Sequence, residues 1–144
     1  MKKVMEVMTK DVEIISPNDT LKDAAEKMRT LNVGPLPVVD GDKLMGIITD
    51  RDIVVRAVSK GLDPNNTRVS DAMTGDVECV YENDDISKVA QKMKEEQIRR
   101  ILVVNQDKKL VGIVALGDLA ETMDTQEAGQ TLESISEPSQ PTTH

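Results

Sequence analysis

The chain is poor in the side chains on which most enzymes depend. Its 144 residues include one cysteine, one histidine and one tyrosine, and neither phenylalanine nor tryptophan. The histidine is the terminal residue, and Cys79 lies in an apolar stretch, where cysteine usually acts as a small buried hydrophobe. No CxxC, HExxH, GxxxxGK[ST] or GxSxG pattern occurs. The sequence therefore indicates no metal site and no nucleophile, and we expect a protein that is not an enzyme.

Basic charge is also in short supply, which disfavours nucleic acid as a partner. The formal net charge is −8, and the polar tail over residues 124–144 contains four acids without any Lys or Arg. A nucleic-acid-binding domain presents a basic face, and proteins that bind single strands stack bases on aromatic rings. We therefore expect no direct contact with nucleic acid.

Long hydrophobic runs are missing as well. No apolar stretch approaches the roughly 20 residues that cross a bilayer. The short run after Met1-Lys2-Lys3 contains Glu6, unlike the apolar region of a signal peptide. With a single cysteine there is no disulfide framework, which is typical of a reducing compartment. These absences predict a cytoplasmic protein that does not associate with membranes.

What the chain does contain is an internal repeat with an offset of 65 residues. The matching pairs are Met8-Thr9 and Met73-Thr74, Asn18-Asp19 and Asn83-Asp84, Lys27-Met28 and Lys92-Met93, and Val38-Val39 and Val103-Val104. Such a repeat indicates one supersecondary unit used twice. We expect the two copies to pack about a pseudo-two-fold axis, with clefts between them.

Each copy shows the pattern strand, helix, strand, strand, helix, which predicts an α+β fold made of two βαββα repeats. In the first copy, Thr20 and Asp23 resemble a capping box before the first helix. The second helix is expected from Arg51 to about Ser59, with Asp50 as its cap and Gly61 just beyond its end. The predicted strands of this copy are Val12–Ile15, Leu36–Val39 and Leu44–Thr49.

These patterns set the expected domain boundaries. The first repeat is predicted over residues 4–60, a linker over 61–67 and the second repeat over 68–123. The remaining residues, 124–144, are polar and include two prolines. We expect this tail to be disordered, because it cannot bury enough apolar surface to offset the entropy cost of ordering.

The strand-to-helix junction of the first copy concentrates groups that suit a ligand. Gly46 permits the close approach of a backbone or of a ligand. The Thr49 hydroxyl and the Arg51 guanidinium can hold a phosphate, and the Asp52 carboxylate can accept both hydroxyls of a ribose. Alternatively, Asp50 and Asp52 only cap the helix. The spacing alone leaves both interpretations open.

The repeat and the junction together resemble a tandem pair of cystathionine-β-synthase (CBS) domains, also called a Bateman module. The resemblance extends from about Val4 to Met123. No single motif in it is specific, but all of them occur in the expected order and recur in the second copy. They are the Met-Thr pair that opens each repeat, the turn and helix start Ser16–Leu21, the strand Pro37–Asp40, and Gly46, Thr49 and Asp52 in their spacing.

The resemblance implies a non-catalytic regulatory module that binds an adenosine-containing ligand in the cleft between repeats and signals to a separate, unknown partner protein. In the family an aspartate holds the ribose and a Ser or Thr the phosphate, which assigns those roles to Asp52 and Thr49. Apolar residues enclose the adenine. The matching positions, each of which could equally belong to the core, are Ile14, Ile15, Leu36 and Pro37.

The ligand expected from this resemblance is AMP, ADP or ATP, because the groups on the phosphate side favour negative charge. NAD and S-adenosylmethionine are the alternatives. Family members commonly associate through their helices, so we also expect a homodimer, with the apolar residues of Ile53–Val58 at the contact. A ligand-free dimerisation or interaction module is the rival function.

The second copy departs from the pattern at its junction. Ala115, Leu116 and Gly117 stand where the first copy has Thr, Asp and Arg, whereas Asp118 is retained. The ribose acceptor is therefore present without the phosphate-side groups. We predict one good site in the first copy and one weak or empty site in the second.

A pair of arginines, Arg99-Arg100, stands where the first copy has Gly34-Pro35. The resemblance implies that basic residues here point towards ligand phosphates, with Arg100 as the better candidate and the first repeat's site as the one it serves. The alternative is a pair of surface arginines that interact with Glu95 and Glu96.

Overall fold

The computed structural model describes residues 2–122 and Ile135, and the chain divides into two compact units. The first-repeat unit comprises Val12–Val77 and Asp107–Leu110. The second-repeat unit comprises residues 2–11, Glu78–Gln106 and residues 111–122 with Ile135. Each unit combines short helices with a small sheet, which confirms the α+β prediction.

The first-repeat unit is built on an antiparallel pair of strands. Its elements are α1 (Leu21–Leu31), β1 (Pro35–Asp40), β2 (Lys43–Thr49) and α2 (Asp50–Arg56). Strands β1 and β2 pair with a register shift between Val38 and Val39. Leu21, Ala24 and Met28 of α1 are buried, as their helical spacing predicts, whereas Ala25 and Leu31 are exposed. The core of this unit contains Ile15, Leu21, Ala24, Met28, Leu36, Val38, Ile48, Ala57, Val69 and Ala72.

The start of α1 is a capping box, as the sequence predicts. The Asp23 amide donates to the Thr20 hydroxyl at 3.1 Å, and the Thr20 amide donates to the Asp23 carboxylate at 3.0 Å. The hydrogen bond from the Thr20 amide, followed by that with its hydroxyl, lowers the pKa of Asp23. The helix ends at Leu31, and its C-cap residue Asn32 has a left-handed φ of 55°, a conformation that asparagine tolerates better than most residues.

The predicted strand Val12–Ile15 is not a regular strand. Only Ile15 pairs, in an isolated parallel bridge with Val38. The Ile15 amide donates to the Pro37 carbonyl at 2.9 Å, and the Ile15 carbonyl accepts from the Val39 amide at 2.9 Å. The next donor of a parallel ladder would be the amide of residue 37, and proline has none.

The second copy tests this explanation, because Leu102 stands where the first copy has Pro37. There the equivalent segment forms a regular strand, β3 (Cys79–Tyr81), parallel to β4 (Arg100–Val104), with Cys79 opposite Leu102. Pro37 therefore accounts for the missing pair at Ile14. A second proline, Pro17, accounts for the missing pair at Ser16, because it stands where the second copy has Glu82, whose amide donates to the Val104 carbonyl at 3.0 Å.

The second helix starts one residue earlier than predicted and has a different cap. Thr49, not Asp50, is the N-cap residue of α2, since its backbone is extended and its hydroxyl accepts the Asp52 amide. The α-helix ends at Arg56, and a 3-10 turn over Val58–Lys60 continues the chain. Gly61 then closes this turn with a left-handed φ of 71°, in agreement with the predicted end.

The second-repeat unit has a three-stranded sheet in the order β3-β4-β5. Its remaining elements are α3 (Ile86–Glu96), β5 (Leu110–Ala115) and α4 (Leu116–Ala120). Within the described part of the chain, no helix is long and apolar enough to cross a membrane.

The segment that opens each sequence repeat packs into the unit built from the other repeat. Val4 is fully buried in the core of the second-repeat unit, and Val69 is fully buried in the core of the first-repeat unit. Thr9 pairs with Ile113, and Thr74 pairs with Ile47. The offset between the copies does not reveal this exchange, because the two segments are alike in sequence.

The predicted disordered tail, residues 124–144, lies outside the described residues except at Ile135. Ile135 is helical and 8% exposed, and it packs in the core of the second-repeat unit. An apolar side chain is thus buried here against other apolar side chains, and the disorder expected for the tail stays a prediction.

Candidate functional site

The predicted phosphate and ribose residues lie against each other where β2 meets α2. The Asp52 amide donates to the Thr49 hydroxyl at 3.0 Å, and the Thr49 amide donates to Asp52 Oδ2 at 2.9 Å. This reciprocal pair is a capping box. Asp52 therefore takes part in the helix cap, whereas Asp50 is the first residue of the helix rather than its cap. Whether Asp52 also binds a ligand stays a prediction.

Capping uses only part of the hydrogen-bonding capacity of these two side chains. The Thr49 oxygen accepts one bond, and a hydroxyl that accepts retains a proton to donate. The second carboxylate oxygen of Asp52, Oδ1, lies 3.8 Å from the Arg56 guanidinium, and the Asp52 side chain is 14% exposed. A carboxylate has about four acceptor sites. The cap therefore orients both groups and leaves each able to bind a ligand.

Two arginines of α2 lie near this pair. Arg51 is exposed in the first turn. Arg56 lies one turn further on, beside Asp52, and its Nη1 donates to the Met73 carbonyl at 3.2 Å. Sequence reasoning overlooked Arg56, although its four-residue spacing from Asp52 is that of a helical ion pair.

Gly46 is required by a close approach of backbone. A Cβ added there would lie well under 3.0 Å from the Thr74 carbonyl oxygen, a separation that real Cβ atoms essentially never show. Ile47 and Thr74 exchange two backbone hydrogen bonds of 2.9 and 2.8 Å. The sequence leaves open whether Gly46 makes room for a backbone or for a ligand. In the structure, the backbone of Thr74 approaches it.

The four candidate adenine residues differ in accessibility. Ile15 and Leu36 are 4% and 1% exposed and belong to the core, and Pro37 is buried as well. Ile14 is half-buried, so it is the one of the four whose side chain has accessible surface for contact with a ligand. Strand β1 connects these residues to the junction, because the Pro37 carbonyl accepts the Ile15 amide while Pro35 pairs with Thr49.

The second junction retains the cap but not the hydroxyl. Asp118 Oδ2 accepts the Ala115 amide at 2.8 Å, as Asp52 accepts that of Thr49. Capping alone therefore accounts for the presence of Asp118. The Leu116 amide donates to the Arg99 carbonyl at 2.8 Å, and the Asp50 amide donates to the Gly34 carbonyl at 3.1 Å.

Arg99 thus occupies the position of Gly34, as the sequence offset predicts. Arg100 follows it as the first residue of β4 and is exposed. Its role towards a phosphate stays a prediction. Across residues 2–122 and Ile135, no group of three His, Cys, Asp or Glu side chains is placed to hold a metal ion.

Comparison with known proteins identifies the class. CBS domains match residues 4–59 and 69–124, which together make up well over half of the chain. The protein belongs to the CBS domain family and carries two such domains in tandem. Stand-alone CBS pairs are generally regulatory rather than catalytic, and structures of some contain AMP or S-adenosyl-L-methionine.

Individual relatives extend over nearly the whole chain. The uncharacterized protein YlbB of Bacillus subtilis is 43% identical over 140 residues, which are 95% of this chain and 93% of YlbB. The crystal structure of Hypoxic Response Protein I with two coordinated zinc ions has a TM-score of 0.76 at 35% identity and covers 85% of this chain and 100% of that one. The structure of CBSX2 in complex with AMP has a TM-score of 0.72 at 26% identity, with 85% and 96% covered.

Proposed function

We propose that this protein is an adenine-nucleotide sensor that binds AMP, ADP or ATP at the Thr49–Asp52 junction and signals occupancy to a separate partner protein. The observation that supports this most is the reciprocal Thr49–Asp52 pair. It holds a hydroxyl and a carboxylate in fixed positions at one strand end, each with hydrogen-bonding capacity left for a ligand. The equivalent junction at Ala115 has no hydroxyl to offer.

Each group of the junction has a role in this proposal. Asp52 Oδ1 accepts the ribose hydroxyls, and the Thr49 hydroxyl donates to the phosphate. Arg51, in the first turn of α2, and Arg56, whose guanidinium lies 3.8 Å from Asp52, supply positive charge near the junction, which suits a phosphate. The half-buried Ile14 side chain contacts the adenine. We rank AMP, ADP and ATP above S-adenosylmethionine as ligands because S-adenosylmethionine has no phosphate. The AMP complex of CBSX2 supports this ranking.

A thermal-shift screen against AMP, ADP, ATP, GTP, NAD and S-adenosylmethionine tests the proposal. A ligand present at about 100 times its dissociation constant stabilises the fold by ~2.7 kcal/mol, which raises the melting temperature by several degrees in a protein of this size. We expect a rise with adenine nucleotides and none with GTP. A flat response to all six compounds would contradict the sensor function.

A ligand-free interaction module is the second candidate function. It is favoured by the observation that capping alone explains both Thr49 and Asp52. In this case the junction is a structural element, and the partner protein recognises a permanent surface. The flat thermal-shift response that contradicts the sensor is the result that this alternative predicts.

A homodimer is proposed on the basis of apolar side chains exposed on and just after α2. Val54, Val55, Val58 and Leu62 are 56%, 47%, 61% and 44% exposed. Unpaired apolar patches of this kind mark interaction surfaces. With a second copy packed on this surface, Val54→Asp or Val58→Asp would place a charge in the contact.

We expect each aspartate variant to raise the dimer dissociation constant by ~30-fold or more, the effect of losing ~2 kcal/mol at a well-packed contact. Sedimentation equilibrium measures it. Met45→Asp is the matched control, since Met45 is also exposed, at 42%, but lies on β2. A monomeric wild type, or variants that dimerise as tightly as wild type, would contradict the proposed contact.

A further inference from the structure

Lys27, on α1, reaches the segment that precedes the core residue Ile15. Its Nζ donates to the Ile14 carbonyl at 2.5 Å and lies 3.6 Å from the Glu13 carboxylate. The side chain is only 35% exposed. A hydrogen bond from an ammonium group is stronger than one between neutral groups. Lys27 thus connects α1 to the backbone of Ile14, which the candidate site needs in a fixed position.

The same contact recurs in the second copy at the offset of the repeat. Lys92 Nζ donates to the Cys79 carbonyl at 3.2 Å and to the Glu78 carboxylate at 3.1 Å. Its side chain is 30% exposed. The two lysines therefore make equivalent contacts, one in the copy with the intact junction and the other in the copy whose junction has lost its hydroxyl.

The two copies differ in what else holds the segment. Cys79 lies in β3, which pairs with β4 over three residues. Ile14 has no such ladder, because Pro37 cannot donate and only Ile15 pairs with β1. Cys79 is therefore held by the strand pairing as well as by Lys92. Ile14 lacks the strand pairing and depends more strongly on its contact with Lys27.

We propose that Lys27 is a positioning residue for the ligand: by holding the Ile14 carbonyl, it fixes the half-buried Ile14 side chain against which the adenine packs. This inference rests on the proposed function, and it adds a residue that lies outside the Gly46–Asp52 junction. Lys27 acts through Ile14 and does not itself touch the ligand. Its loss therefore weakens binding without removing any group that contacts the nucleotide.

The test compares Lys27→Met with Lys92→Met, which remove the ammonium and keep most of the aliphatic stem. Isothermal titration with AMP measures the dissociation constant. We expect Lys27→Met to raise it about tenfold, equivalent to about 1.4 kcal/mol. Lys92→Met should stay within about twofold, the margin for distant independent sites. Lys27→Arg keeps a charged donor and should restore most of the affinity.

A second readout needs no ligand. The Ile15 amide donates to the Pro37 carbonyl, and its hydrogen exchange reports how firmly the segment is held. We expect faster exchange at Ile15 in Lys27→Met than in wild type, and a smaller change at Val80 in Lys92→Met. Lys27→Gln, which keeps a neutral donor, provides both readouts should the methionine variant fold poorly.

The outcomes separate this inference from the proposed function. Wild-type protein that binds none of AMP, ADP and ATP contradicts both, and if ADP or ATP binds in place of AMP, the titrations use that nucleotide. Wild-type protein that binds AMP, with equal losses in the Lys27 and Lys92 variants, contradicts the role of Lys27 alone. The same conclusion follows if Lys27→Arg binds as weakly as Lys27→Met, or if exchange at Ile15 is unchanged.

Discussion

Asp52→Ala is expected to abolish most AMP binding, whereas Asp118→Ala should change it little. In the proposed complex the Asp52 carboxylate accepts both ribose hydroxyls, and a hydrogen bond to a charged group is worth ~1.5–3 kcal/mol. Loss of two such bonds raises the dissociation constant by ~100-fold or more. Isothermal titration of both variants with AMP measures the difference.

Asp118→Ala is a matched control because the two aspartates make the same structural contact. Asp52 accepts the Thr49 amide at 2.9 Å, and Asp118 accepts the Ala115 amide at 2.8 Å. Each alanine variant loses this bond, at a cost of about 1 kcal/mol of stability, and Asp52→Ala also loses the ion pair with Arg56. The shared loss of the capping bond cancels in the comparison, so the difference in affinity reports mainly the ligand contact. Equal losses would contradict a single good site, and full affinity in Asp52→Ala would contradict the ribose contact.

Gly46→Ala is expected to destabilise the protein by ~3 kcal/mol or more, as overpacking against a backbone does. The new methyl group would collide with the Thr74 carbonyl oxygen. Relieving the collision means separating β2 from Thr74 and losing the two backbone hydrogen bonds between Ile47 and Thr74. Urea denaturation measures the change in the free energy of unfolding.

Gly75→Ala, next to Thr74 on the same segment, is the control. An added Cβ at Gly75 meets nothing within 4 Å, so we expect a change within about 0.5 kcal/mol. Equal stability of the two variants would show that the approach of Thr74 does not require a glycine. Weaker AMP binding in a Gly46→Ala variant of unchanged stability would instead favour the ligand role.

The features predicted well from the sequence depend on residues close together in the chain. The capping box of Thr20 and Asp23 and the end of the second helical segment at Gly61 follow from local hydrogen bonding and φ preference. The juxtaposition of Thr49 and Asp52 is local too, since three residues separate them. For this reason the junction could be found as a candidate site, and its capping role foreseen as the alternative.

The features that were missed depend on which segments meet. The irregular Val12–Ile15 segment follows from Pro37, more than twenty residues further along the chain. Ile15 and Leu36 are apolar in sequence whether they face a ligand or a core, so only the structure could show that both are buried, and their part in ligand binding stays a prediction.

The sequence by itself determined the repeat, the α+β class, the CBS family and the asymmetry between the Thr49 and Ala115 junctions, because these are properties of residue types and their spacing. Tertiary structure alone decided that the opening segments, with Val4 and Val69, are exchanged between the repeats. The two segments have nearly the same local pattern, so no local preference distinguishes their destinations. Their destinations are decided only by long-range packing, such as the close contact between Gly46 and Thr74.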